Sequence, residues 1–204
     1  MTVRVLASAV LVLAVASTAA HAADPRYPDW PCTQAKVPEI SLAAVWAGPP
    51  LDDVQNKWKD DARISALVAK LAARKTPLDE AEKLVKEFLA GSAADKSANA
   101  RLLFAGLFDT LSAQRAQVMN GLERVSRKQR DAADKIREDT LQLQSLQSAT
   151  PRDEAKVEAL SNELIWKTRI FEDRHKVVRF VCEVPTSIDQ RLFALGRVIQ
   201  QEME

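Results

Sequence analysis

Cys32 and Cys182 are the two cysteines of this chain, and their spacing separates two chemistries. Redox catalysts usually hold their cysteines close together as C-x-x-C, which this pair does not. In an oxidising compartment two cysteines allow a single intramolecular bridge. A Cys32–Cys182 disulfide is therefore expected, closing a loop of about 150 residues and stabilising by at most roughly 5 kcal/mol on the chain-entropy account. Asp29-Trp30-Pro31 precede Cys32 and form no lipobox, so lipid attachment there is not expected.

Other chemistry is harder to assemble. After His21 the chain has one histidine, His175, and any Ser-His-Asp or Cys-His arrangement would have to use it. A histidine-based zinc site needs more ligands than that. His175 is expected to be a partly buried structural residue beside a helix seam. The acidic pairs Asp52-Asp53, Asp60-Asp61 and Glu138-Asp139 are adjacent residues that point in different directions on a helix, and none belongs to an alternating oxygen-ligand loop. No haem-attachment motif, Walker loop, dinucleotide fingerprint or EF-hand loop occurs. No catalytic residue, metal or cofactor is expected, and an enzyme is the least favoured class.

Binding surfaces remain. Arg127, Lys128 and Arg130 form a basic run with Arg124, interleaved with Asp131 and Asp134. Such a run is a solvated face or a surface for an anionic partner. Leu141, Leu143 and Leu146 lie near the end of a long helix, where little core exists to cover them. Leu143 and Leu146 have partners across a hairpin, and Leu141 does not. Trp30, Trp46 and Trp58 would either line a ligand groove or anchor an arm, and the anchor is preferred because a tryptophan buries large area while using one donor.

These residues are placed by three regions. Residues 1–22 combine Arg4, an apolar run from Val5 to Ala16 and small residues at Ala20 and Ala22, the pattern of a secretory signal cleaved after Ala22. The apolar run falls short of the roughly 20 residues that span a bilayer. Residues 23–50 contain six of the nine prolines with Trp30 and Trp46, which favours an extended arm packed on a folded body. A short helical turn at Ser41 to Trp46, capped by Ser41, is expected within it. Residues 51–204 are rich in Ala, Leu, Lys, Arg, Glu and Gln and poor in glycine, which predicts an all-helical domain.

Within that domain, Asp60 to Ala73 places Ile64, Leu67, Val68 and Leu71 on one helical face. Thr76-Pro77-Leu78-Asp79 and Thr150-Pro151-Arg152-Asp153 both read as a threonine cap, a proline at the first helical position and an acid in the first turn. Between them Ser97 to Gln147 runs free of proline for about 75 Å. Its three–four seam is Phe108, Leu111, Arg115, Val118, Leu122, Val125, Gln129, Ala132, Ile136, Asp139, Leu143 and Leu146. The facing seam is Val157, Leu160, Leu164, Lys167, Phe171, Arg174, Val178 and Val181. A tip at about 148–150 makes the two helices an antiparallel coiled-coil hairpin, pairing numbers that sum to roughly 300. Arg115, Gln129 and Asp139 either weaken the pairing and fix its register or sit at the seam's edge through helix drift, and the edge is slightly preferred. The second long helix is expected to end near Glu183, with Pro185 breaking it and Thr186 to Asp189 capping a last helix.

The expected fold is all-α: a small bundle with a prong at about 125–174, preceded by a Pro/Trp-rich arm pinned by the disulfide. Without the signal, Arg4 is lost and 28 basic residues balance 28 acidic ones. That balance argues against nucleic-acid binding and polybasic membrane binding. No stable membrane insertion is expected after cleavage, and the chain is expected in the periplasm or outside the cell. The function that fits is non-enzymatic: an adaptor, scaffold or chaperone-like protein that binds another exported or envelope protein through the hairpin. Self-association through the prongs is a second use of such a seam, and binding of a small ligand or metal by the aromatic arm is the alternative. Mass spectrometry of the exported protein is expected to find Ala23 at its N-terminus and to show a gain of two hydrogens on reduction. An N-terminus at Met1, or two free thiols, contradicts this reading.

Overall fold

The structure, a computed structural model, describes residues 24–91 and 95–203. The signal sequence expected at 1–22 lies outside the described residues. Six α-helices follow in order: α1 (Leu42–Val45), α2 (Ala62–Ala72), α3 (Leu78–Ala90), α4 (Lys96–Ser148), α5 (Glu154–Val181) and α6 (Glu183–Met203), with a 3-10 turn at Lys57–Lys59. The described residues contain no strand, and the class is all-α.

The core gathers around the first third of α4. Leu103, Phe104, Leu107 and Leu111 are buried there against Ile64, Val68 and Leu71 of α2, Val85 and Leu89 of α3, and Leu192, Leu195 and Ile199 of α6. Trp46 lies on Phe104 with ring centroids 4.2 Å apart and nearly parallel planes. Burying both faces of Phe104 in this way supplies about 1.5–3 kcal/mol from area alone. Gly196 lets α6 approach: a Cβ there would stand 2.8 Å from both the Val45 carbonyl oxygen and the Phe104 ring.

Helix starts differ from the sequence expectation in instructive ways. Asp61 caps α2 by accepting from the N–H groups of Arg63 and Ile64 at 2.8 and 3.3 Å. At α3 the cap position is Pro77 rather than Thr76. Thr76 is buried, and its hydroxyl donates to the Lys70 carbonyl at 2.8 Å, closing the α2–α3 turn instead of capping. Arg191 of α6 completes that turn by donating to the carbonyl of Leu71, one that the end of α2 leaves without a helical partner, and to that of Thr76, at 2.7 and 2.9 Å. The cap of α5 is Asp153, which accepts from Lys156 N–H at 3.1 Å, so the connection at the tip spans 149–153 and not 148–150. Ser41 stands at the start of α1 without a side-chain capping bond.

The break between α5 and α6 falls at Cys182, earlier than expected, and Pro185 sits inside the first turn of α6. A proline ring collides with the carbonyl four residues before it, which here belongs to Val181, the last residue of α5. Within the first turn its missing N–H costs nothing. Pro185 thus ends one helix and belongs to the next. Asp189, expected to cap α6, is free for another role.

On α4 the main core ends at Leu111; Met119 and Leu122 are buried beyond it, and α4 and α5 continue as a two-helix prong of about 35 Å from residue 125 to 148. Gly196→Ala is expected to lower the melting temperature, losing about 1–3 kcal/mol to overpacking in spite of the roughly 1 kcal/mol that alanine gains in a helix. A rise in melting temperature would refute the close approach of α6.

Candidate functional site: the hairpin and its two flanks

The disulfide joins Cys32 to Cys182 with Cα atoms 5.6 Å apart. It brings the arm onto the junction of α5 and α6, where the Gln34 amide donates to the Cys182 carbonyl at 2.7 Å. From there the arm runs along one flank of α4. Lys36 pairs with Glu123 and lies 4.6 Å from the Tyr27 ring centroid. Asp29 is held between Arg127, at 2.7 Å, and Arg130, whose guanidinium also donates to the Pro28 carbonyl. The Arg130 and then the Arg127 guanidinium hold the Asp29 carboxyl below the usual carboxylate range. Two of the three basic residues singled out in the sequence therefore serve the arm, while Lys128 points elsewhere and is exposed.

The polar seam residues lie inside the seam, not at its edge. Gln129 donates to the Phe171 carbonyl at 3.0 Å, which gives the pairing sum of 300. Asp139 is buried and meets Lys167 at 2.7 Å and Lys135 at 3.2 Å. Lys167, and after it Lys135, keeps the Asp139 carboxyl below its ordinary range against the opposing effect of burial. Arg115 is also buried, touching Asp189 of α6 at 2.8 Å without the alignment of a hydrogen bond, and it donates to the Pro38 carbonyl and to Met119 Sδ. Burial outweighs Arg115 at Asp189 and raises its carboxyl above the usual range. A buried charge is tolerated only when paired, and each of these is.

The tryptophans have their donors engaged. Trp30 Nε1–H donates to the Gln34 carbonyl at 2.7 Å, Trp46 to the Pro49 carbonyl at 2.8 Å and Trp58 to Asp109 at 3.0 Å. Trp46 is buried, and Trp30 and Trp58 are partly so. His175 is exposed on α5, one position past the seam, rather than partly buried. The described residues contain no group of three or more side chains placed to hold a metal ion. None of the described helices is long and apolar enough to cross a membrane.

Towards the tip, Leu143 and Leu146 are half-buried in the seam, whereas Leu141 is 62% exposed. α5 adds Ile165 at 67% and Trp166 at 62% on the same stretch of the prong. Sequence reasoning missed these two. For Trp166 the available signal was its spacing with Ile170 and Val177, a second apolar stripe about a quarter-turn from the seam at 3.6 residues per turn.

The flank of the hairpin away from the arm carries a groove of about 880 Å³. Val118, Leu122 and Val125 of α4 and Ile170, Val177 and Val181 of α5 line it, with Arg124, Lys128 and Arg174 around them. Compared with family models, curated proteins and solved structures, this chain has no significant match.

Asp139 in the seam and Asp189 on α6 predict opposite pH dependences. The depressed Asp139 contributes stability that is complete above about pH 4 and lost as pH falls through its folded value. The raised Asp189 contributes stability that is complete below its unfolded value and lost as pH rises through its folded one. Acidification to about pH 2–3 is expected to weaken the hairpin at Asp139, read as a carboxyl NMR titration midpoint below that of a free aspartate. In Asp139→Asn that acid-linked loss should disappear from the circular-dichroism titration. An unshifted Asp139 midpoint would refute the buried ion pair.

Proposed function

We propose that this chain is an exported, non-enzymatic protein that binds another protein through its projecting hairpin, as an adaptor, scaffold or chaperone-like factor. One observation carries the reading: Leu141, Ile165 and Trp166 are exposed on a prong that the core does not need. Large apolar side chains left in water mark interaction surfaces, and tryptophan is enriched among residues that dominate binding energy. The long-range disulfide supports export, because such bonds persist in oxidising compartments. The arm supports a structural role for its tryptophans, since their donors and the Asp29 carboxylate are spent on holding it in place.

Photo-crosslinking in cells tests this, with the probe at Trp166 or Leu141 and, for comparison, at Lys86 on the exposed face of α3. The expected result is protein adducts from the prong and none from Lys86. Discrete adducts identify an adaptor or scaffold, and a broad smear identifies a chaperone-like factor. Absence of adducts at both prong positions would overturn the proposal.

A further inference from the structure

The hairpin's two flanks are unequal. On α4 the arm is held by Glu123, Arg127 and Arg130, while the groove is lined by Gly121, Val125 and Lys128. At 3.6 residues per turn these sets face opposite sides of the helix. The arm fills one side of the antiparallel pair. Val125 at 38% and Val177 at 59% exposed leave the other side open.

We infer that this open groove is the docking site for one amphipathic helix of the partner protein, with an apolar stripe flanked by Asp or Glu side chains. The inference rests on the partner-binding reading and adds where the partner sits and what recognises it. Length supports a helix: the groove spans residues 118–129 of α4 and 170–181 of α5, about 17 Å or three turns at 1.5 Å per residue. Two antiparallel helices with one apolar flank accept a third by inserting its ridges between theirs.

Charge supports acidic flanks. Among the described residues Arg124, Lys128 and Arg174 have no ion pair, although Arg127 and Arg130 of the same run are both paired with Asp29. The one acid on the rim, Asp173, is bonded to Lys176. Cations left unpaired beside apolar surface select carboxylates on an incoming partner. A second copy of this chain fits poorly, because a twofold pairing of this face sets those three cations against their duplicates.

Gly121 supplies a separate observation. A glycine inside a helix costs about 1 kcal/mol against alanine. At Gly106 and Gly196 that cost has a cause, since a Cβ would lie under 3 Å from neighbouring groups. At Gly121 the nearest atom to a Cβ is the tip of Arg124 at 3.8 Å, so nothing within the chain requires its small size. It lies in the groove, where it would let the backbone of an incoming helix come close.

The test places the photo-crosslinker at Val177 in the full chain, in cells, and sequences the crosslinked peptide. The expected adduct is a segment with apolar residues three and four apart and acids beside them. Gly121→Leu, and separately the double change Arg124→Glu with Lys128→Glu, should each cut the adduct by about tenfold or more while leaving the thermal melt of the chain in place. The Gly121 space makes the first change harmless to the fold, and the charge reversal stands independently should it not be. Survival of the adduct in both variants overturns the inference, as does an adduct of lipid mass, of twice this chain's mass, or on a segment without acidic flanks. Silence at Val177 with adducts at Trp166 overturns the groove and leaves partner binding standing. Silence at Val177, Trp166 and Leu141 together removes both.

Discussion

The structure is organised around α4, a helix of 53 residues that serves as core and as prong without interruption. Its first third is enclosed by α2, α3 and α6, where Phe104 and Leu107 are fully buried. Its last two turns stand in water beside α5 alone. A helix satisfies its backbone hydrogen bonds within itself, so it can leave a core without leaving groups unpaired. That property permits a hairpin to project from a body this small. The price is paid in side chains: beyond Leu122 the helix has only one neighbouring helix to cover it.

The chain meets that shortage with polar contacts of fixed register. Gln129 on the Phe171 carbonyl, Lys167 on Asp139, and Arg115 between the Pro38 carbonyl of the arm and Asp189 of α6 each tie a fixed position to fixed partners. An aliphatic seam slides at little cost, whereas a buried charge that slips leaves its partner unpaired. The disulfide and the Asp29 clamp act at the same level, drawing the proline-rich arm along one side of the pair. Among the described residues nothing comparable covers the opposite side. The asymmetry of the hairpin, one flank dressed and one bare, follows from which flank the arm can reach once Cys32 is tied to Cys182.

Functionally, this arrangement puts aliphatic and aromatic area where the fold has no use for it. Exposed apolar residues occur singly on any protein surface. Here Leu141, Ile165 and Trp166 share the distal prong, and Val125 and Val177 share the groove below them. The unpaired cations of that groove belong to the same basic run that elsewhere holds the arm. One short stretch of α4 thus holds the arm on one face and lines the groove on the other, divided by helical phase.

The all-α class, the cysteine bridge, the two long helices and their approximate pairing were legible in the sequence. Each depends on composition, on period or on an inescapable pairing of two cysteines, which are local or combinatorial properties. The detail at helix ends was not. Thr76-Pro77 and Thr150-Pro151 look alike in sequence, yet Thr76 is drawn inward by the Lys70 carbonyl, and α5 waits for Asp153. Periodicity alone placed Arg115 and Asp139 at an edge because it has no term for partners that arrive from other elements, Asp189 and Lys167. The same limit hid the exposure of Trp166. Sequence by itself determined which segments are helical and which faces are apolar, since these follow from backbone propensity and spacing. Only the tertiary structure decided which apolar face is covered and which cation is neutralised, because both depend on a segment distant in the chain coming within a few ångströms.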